Sequence, residues 1–489
     1  MWLPHLLLQT ILIPVISIPI LMFIGRKMGK HTGWVACGIL TYVTILLLIA
    51  GFNIYNKSHP LYEEYCWSTS VFNLKFGFLA DNLSLPVAFV MSLVCAACAA
   101  YSVHYMEHRI EHLYGKGRNG MYALYYSIYL LFAVGLIGVS LSTDLIELYL
   151  FIELALIPSY IMIDLYGYID RHRIAMMYFI WNHVGAALFL IGAVLAIIGS
   201  GGKTGIDALS AISATPLSFW VCFLILVGWL IKMATFGFHV WLPYAHGEHP
   251  TSIAAIIATI VGLGNYVIVR LLVETLNATF RIFAYPLMIL ALITMVYGAL
   301  LTISQDDVKR LYACSTISQT SYSLLGIGSL TAMGISGGIF YFLSHIIGKC
   351  ILFSVAGILI VQTGIRDMRK MGGLARRMPI TATLCILGSM ILSAIPPLSG
   401  FQAEWIMFTG IFKQSNLAVA VIGIFATFLT VIYTFWPVMR IFFGPLPKHL
   451  RNVKEAPYSM TLPLLILAFV SFILGVHPEL IMHFLSSIA

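Results

Sequence analysis

The feature that most limits what this chain can fold into is the length of its apolar runs. Fourteen stretches supply eighteen or more mostly apolar residues each: 3–24, 32–54, 80–103, 122–141, 144–167, 174–199, 217–243, 251–273, 282–303, 308–330, 333–361, 380–412, 417–443 and 460–484. Each is long enough for a helix to cross the hydrocarbon core of a bilayer. Only 9% of the 489 residues are Asp, Glu, Lys or Arg, against about 25% in soluble domains. A soluble fold is excluded, and no stretch remains for a soluble catalytic domain. The expected fold is an all-α polytopic membrane protein of about 14 transmembrane helices, with residues 1–489 forming a single membrane domain.

The net charge of +8 suggests nucleic acid in a soluble protein, but here it reads as topology, with the lipid bilayer as surroundings and no nucleic-acid partner. Alternate loops carry 19 of the 27 basic residues, among them Arg26, Lys27, Lys30, Arg109, Arg171, Lys309, Arg310, Arg366, Arg369 and Arg440. The positive-inside rule then puts both termini outside a cell membrane. The apolar N-terminus has its cations after the run, unlike a cleavable leader, and is expected to stay as the first span. Cys95-x-x-Cys98 lies within an apolar run and reads as small packing residues.

Once the loop cations are set aside, four ionisable residues fall deep inside spans: Glu153, Lys232, Lys349 and Glu404. A charge at the centre of a membrane helix costs about 2.5 to 3.5 kcal/mol on insertion scales. Such groups either neutralise one another in pairs that dock helices, or form a file that passes protons through water. His345 and Lys349 are four residues apart and share a helix face. Tyr312, Ser315, Gln319 and Tyr322 make one polar stripe on an apolar helix, serving as interhelical glue or as a hydrated path. His183, beside Asn182, is a further candidate. Asp144 and Glu147 sit at an outer helix end and read as a solvated edge or, alternatively, as an exit site.

Two spans look broken. In the seventh, Lys232 is followed by Gly237 and Pro243; in the twelfth, Pro396-Pro397-Leu398-Ser399-Gly400 precedes Glu404. Proline removes backbone donors in mid-membrane, which is tolerated only where protein or water satisfies the freed carbonyls. Corresponding breaks in two halves are a sign of inverted repeats. The expected units are 122–273 and 282–443, each of five helices, flanked by 1–121 and 444–489, with Lys232 and Glu404 as matching break residues.

These segments resemble the antiporter-like (M-type, NuoM/Mrp-like) membrane subunits shared by respiratory complex I, membrane-bound hydrogenases and Mrp cation/proton antiporters. The resemblance rests on Tyr149 to Pro158 around Glu153, on Lys232 with Phe238 to Thr251, on Asp307 to Gln319, on Ser344 to Phe353 and on Gly372 to Pro379. It implies a hydrated axis that moves an ion, usually a proton. Glu153 would be the acidic partner of Lys232, Lys349 with His345 the central relay, and Glu404 the terminal exchange residue. It also implies that this chain holds no cofactor, while iron-sulfur clusters and nickel-iron or flavin sit in peripheral electron-transfer subunits on the cytoplasmic side. Other membrane subunits, including further antiporter-like ones, would be neighbours. Glu404 as a glutamate points to the M type. Ala489, directly after the last span, leaves no sequence for a long lateral helix. The loops at Pro396–Gly400 and Gly372–Pro379 look more like the hydrogenase and Mrp branches.

The chain departs from the family pattern in two places. Ala234 and Gly237 stand where prolines usually follow the seventh-helix lysine, and the eighth-helix lysine is absent, its position falling at Gly262. Water with His183, His239 or His246 could bridge that gap, or the first half conducts differently. His246-x-x-His249 could alternatively bind a metal. An Mrp-type antiporter without redox chemistry and a scaffold whose polar residues only hold helices together are the competing readings.

Overall fold

The computed structural model describes residues 4–57, 59–68, 74–413 and 417–486 and is helical almost throughout. Helices α1 (Leu6–Met28) and α2 (Thr32–Lys57) meet through one tight turn. A hairpin of β1 (Leu61–Ser68) and β2 (Leu74–Ala80) follows, then α3 (Ser84–Tyr114), α4 (Asn119–Leu141), α5 (Leu145–Tyr166) and α6 (Arg171–Gly199). After the short α7 (Asp207–Ile212) come α8 (Leu217–Lys232), α9 (Trp241–Glu248) and α10 (Thr251–Val267), the last extended to Val273 by a wider π turn. The second half comprises α11 (Asn277–Ile303), α12 (Val308–Gly328), α13 (Ala332–Thr363), α14 (Pro379–Leu392), α15 (Ser399–Lys413) and α16 (Leu417–Phe442). The chain closes with α17 (Tyr458–Val476) and α18 (Glu479–Leu485).

Ten helical stretches among the described residues are long and apolar enough to cross a membrane, the first being the joined α1–α2 run. The expected spans missing from this set have physical reasons. Both α8 and α14 are apolar but stop short at breaks. In α12 the buried face is lined with Ser, Thr, Tyr and Gln, which lowers its hydropathy without exposing it to solvent. The antiparallel hairpin departs from the all-α expectation. Its Glu63 accepts hydrogen bonds from the Leu7 and Leu8 amides at 3.0 and 2.9 Å, satisfying donors that the start of α1 leaves open.

Burial sorts the helices into layers. The whole apolar window of α10 and most of α3, α4 and α13 are enclosed, whereas α16, α17 and the α1–α2 run turn most of theirs outward. A helix apolar on every side and enclosed is a core helix; one with large apolar residues outside, such as Phe425 and Phe428 on α16, is suited to lipid.

Two local motifs occur twice. Asp144 caps α5, accepting the Ile146 and Glu147 amides, and Asp307 caps α12, accepting those of Lys309 and Arg310. Beside each cap a distant loop forms a two-bond bridge: Leu145 N to Thr204 O and Ile206 N to Thr143 O, both 2.9 Å, and Val308 N to Arg366 O at 3.0 Å with Met368 N to Asp306 O at 2.9 Å. The breaks also match. After α8, Ala234 takes φ 54° and Thr235 N closes on Leu230 O at 3.2 Å; after α14, Ala394 takes φ 51° and Ile395 N closes on Met390 O at 3.0 Å. In this register Leu392 occupies the position of Lys232. Glu404 lies beyond its break, inside α15, so the expectation that Lys232 and Glu404 are matching break residues is corrected.

Candidate functional site

Lys232 is the last residue of α8 and is 2% exposed. Its ammonium donates to the Asn182 carbonyl at 3.3 Å. Beside it lies a cavity of about 10 Å³ lined by Tyr178, Asn182 and Trp229 among apolar residues. Tyr178 Oη, Asn182 Oδ1 and Trp229 Nε1 are buried with no hydrogen-bond partner among the described residues. A space of that size holds one water, and these orphaned groups are suitable partners for it. Glu153 pairs with His183 rather than with Lys232: its Oε1 lies 3.2 Å from His183 Nδ1, and the imidazole stacks on Phe179. Among the described residues no contact shorter than 4 Å joins Glu153 to Lys232. Their coupling is through space.

The break between α8 and α9 is closed by its own residues. Thr235 Oγ1 donates to the Leu230 carbonyl at 3.2 Å and Trp241 Nε1 to the Ile231 carbonyl at 3.2 Å, so the carbonyls freed at the break are satisfied inside protein. Within the break His239 Nε2 meets Tyr297 Oη at 3.0 Å. His246, on α9, is fully buried, and neither ring nitrogen has a partner among the described residues. His249 differs: its nitrogens face Ser159 Oγ at 3.2 Å and the Ala245 carbonyl at 2.7 Å. Both nitrogens being engaged speaks against His246 and His249 as a ligand pair. Among the described residues no three His, Cys, Asp or Glu side chains are placed to hold a metal. Gly262 packs against Phe342 so closely that a Cβ there would lie 2.4 Å from the ring. The position expected to carry the eighth-helix lysine therefore has no room for a side chain.

The second half of the site is a file of three hydrogen-bonded polar groups set one helical turn apart along α12 and α16. Lys349 donates to the Tyr312 carbonyl at 2.8 Å and to Ser315 Oγ. One turn along α12, Gln319 donates to Tyr433 Oη at 2.6 Å and accepts from Tyr341 Oη at 2.7 Å. The next residue of the stripe, Tyr322, meets Thr430 at 2.8 Å, and Thr430 donates to Tyr433 at 3.1 Å. One turn back on α16, Thr427 donates to Glu404 Oε1 at 2.6 Å. Glu404 is 6% exposed and its Oε2 is unpartnered among the described residues, as are both nitrogens of His345 beside Lys349. Gln319 also reaches the Leu392 carbonyl at 3.4 Å, satisfying the open end of α14.

The structure thus gathers Ser315, Gln319, Tyr322, His345, Lys349 and Glu404 along α12, α13, α15 and α16. It sets Lys232 apart with Asn182, and leaves His183 half-exposed beside Glu153. Three sequence readings are corrected. Lys309, counted among loop cations, is fully buried, donating to the carbonyls of Gly247 at 3.0 Å and His249 at 2.5 Å with its ammonium over the Tyr168 ring. Arg109 is likewise buried against Tyr168. Asp144 and Glu147, read as a solvated edge, are 3% and 1% exposed, because the hairpin and the 200–207 loop cover the start of α5. Cys95 and Cys98 are buried free thiols, the latter 3.2 Å from Cys350 Sγ.

Ten apolar membrane-length stretches among the described residues, enclosing a string of lysine, histidine and glutamate, define an integral membrane protein with a polar interior axis. The family model described as "NADH:quinone oxidoreductase/Mrp antiporter, TM" matches residues 142–430, and that described as "NADH-Ubiquinone oxidoreductase (complex I), chain 5 N-terminus" matches residues 67–114. The chain belongs to this NADH:quinone oxidoreductase/Mrp antiporter membrane family. It is 29% identical over 473 residues to NADH-quinone oxidoreductase subunit M of Rickettsia prowazekii, covering 94% of this chain and 93% of that one. Its fold matches a chain of the Mrp complex from Dietzia sp. with a TM-score of 0.87 at 21% identity, covering 99% of this chain and 97% of the other. A chain of respiratory complex I from Thermus thermophilus matches equally, with a TM-score of 0.87 at 22% identity and coverage of 99% and 98%.

Proposed function

We propose that this chain is the proton-translocating, antiporter-like subunit of a complex I-related machine in the cell membrane, driven by electron transfer in partner subunits. The observation that carries the reading is a file of polar groups: Lys349 binds Ser315; Gln319 and Tyr322 follow one turn apart on the same helix and bind Tyr433 and Thr430; and Thr427, one turn before Thr430, binds Glu404. Protein interiors hold such chains at a cost unless every member is satisfied. Here the unsatisfied atoms, at His345 and Glu404, are titratable groups beside the lysine and at the end of the chain.

In this reading the chain crosses the membrane fourteen times, both termini outside. Residues 122–273 and 282–443 are two inverted five-helix units flanked by 1–121 and 444–489. The twofold recurrence of the aspartate cap, the loop bridge and the alanine-kinked break supports the pairing. An odd number of spans per unit reverses its orientation. Lys232, with Glu153 and His183 nearby, receives the signal from a neighbouring membrane subunit and gives up its proton. His246, with His239 at the break, and water carry it past Gly262 toward His345 and Lys349, and Glu404 exchanges it at the end. The chain itself handles no electrons; clusters and flavin or nickel-iron belong to the partners. The relatives named as subunit M favour a quinone-reducing machine over the hydrogenase branch expected from the Pro396–Gly400 loop.

The test is ion pumping per electron transferred in membranes carrying Lys232→Ala or Glu404→Ala. Pumping is lost while reduction of an artificial electron acceptor is retained; unchanged pumping in both variants overturns the reading. The equal fold match to an Mrp complex favours one second reading, a cation/proton antiporter without redox chemistry. Purification decides between them: co-purifying iron-sulfur subunits support the first, small membrane subunits alone the second.

A further inference from the structure

The two caps and bridges each border a polar cavity, and the two cavities differ in one respect that matters chemically. The one beside α12, about 580 Å³, is lined by Asp306, Asp307, Arg310, Arg366, Asp367 and Arg369. Every carboxylate in it has a guanidinium partner: Asp307 with Arg366 at 2.8 Å, Asp306 with Arg440 at 3.3 Å and Arg369 at 3.4 Å, Asp367 with Arg369 at 3.0 Å. The one beside α5, about 620 Å³, is lined by Glu64, Asp144, Asp207 and Glu274 with Lys75, Lys203 and Arg270. Here the peripheral carboxylates are paired: Glu64 with Lys75, Asp207 with Lys203 and Glu274 with Arg270, which also holds Asp81. Asp144, in the lining, and Glu147, buried one turn behind it on α5, have no ion pair among the described residues.

Each of these two uses one oxygen for the backbone and leaves the other open. Asp144, which lines the cavity, accepts the Ile146 and Glu147 amides on Oδ1 at 2.8 and 3.2 Å, while its buried Oδ2 is unpartnered among the described residues. Glu147 Oε2 accepts the Gly77 amide at 3.1 Å, while Oε1 is unpartnered. Anchoring the hairpin and capping α5 account for one oxygen of each and leave the second unexplained. At the position matching Glu147 the other cap carries Arg310, so the shared motif does not itself demand an acid.

We propose that this acidic vestibule is a proton-exchange mouth of the subunit and that Glu147, reached past Asp144, is its terminal exchange group. A hydronium entering from solvent gives its proton to Glu147 Oε1 and leaves as water; release is the reverse step. The carboxylate excess draws cations inward, and the paired outer residues hold the lining in place. The charged groups lining the vestibule are Asp144 at the start of α5, Glu64 and Lys75 on the hairpin, Lys203 and Asp207 on the 200–207 loop, and Arg270 and Glu274 at the end of α10; those acting directly on Glu147 are Asp144 on its own segment and Tyr62 on the hairpin. The proposal rests on the proton-translocation reading above.

The test uses the whole complex in sealed vesicles. Glu147→Gln keeps an oxygen for the Gly77 amide and is expected to lower protons moved per electron to the level of Lys349→Ala. On the unmodified complex, a water-soluble carbodiimide applied to the vestibule face is expected to form an adduct at Glu147 in mass spectra, unaffected by sodium at constant pH. Full pumping in Glu147→Gln with loss in Lys349→Ala overturns the mouth and leaves the translocation reading standing. Full pumping in both overturns the reading itself. Should Glu147→Gln not assemble, labelling decides: no adduct at Glu147 overturns the proposal, and protection by sodium overturns the assignment of the proton as the ion.

Discussion

Gly262 illustrates how far a single residue constrains the first half of the axis. With Phe342 pressed on its Cα, even Ala is overpacked, and overpacking costs about 1 to 3 kcal/mol. Gly262→Ala is expected to lower the thermal unfolding midpoint of the complex, with partial recovery in Gly262→Ala/Phe342→Leu. Glu274 gives a pH-dependent counterpart at the vestibule. Burial pushes its carboxyl up to about 6 from 4.5, against the pull of Arg270. A carboxyl raised on folding gives up stability as pH rises from its unfolded value through its folded one, here between 4.5 and about 6. Glu274→Gln removes that fall, so unfolding midpoints measured on either side of this window converge in the variant. A midpoint difference as large as in the parent contradicts the assignment. At this scale Lys232, Lys349 and Glu404 were legible in the sequence, because apolar runs make an ionisable residue conspicuous. Lys309 and Glu147 were not, since a charge one turn inside a helix end looks like a solvated one until a loop or hairpin is seen to cover it.

At the scale of elements, the breaks in the seventh and twelfth spans were legible from Gly237 and Pro396-Pro397, but their register was not. Both breaks begin with an alanine in the left-handed region, Ala234 and Ala394, where an L-residue costs about 1 to 2 kcal/mol. Ala234→Gly and Ala394→Gly are expected to leave pumping intact and to raise the unfolding midpoint, whereas Val at either position lowers it; equal midpoints for Gly and Val contradict the kinked geometry. Which faces meet was also hidden. A helix apolar on all sides carries no phase in its sequence, so the Glu153–His183 contact, in place of the expected Glu153–Lys232 pair, depends on a rotation of α5 against α6 that no run length encodes. The polar stripe of α12 did have a phase, and its residues meet α13 and α16 as a set. The hairpin is silent in the sequence because two short strands between spans leave little alternation to read.

For the whole molecule, the arrangement is a charge-poor shell around a charged interior, with outward faces such as that of α16 suited to lipid or neighbouring subunits and the titratable groups held on inner helices. The central claim is that these groups move protons when partner subunits move electrons. Its most direct test is the number of protons translocated per electron pair by the intact complex in sealed vesicles, compared between the parent and Lys232→Ala, Lys349→Ala and Glu404→Ala at matched electron-transfer rates. Each substitution is expected to lower this ratio by the same amount, the share contributed by this subunit. A ratio equal to the parent's in all three variants contradicts it.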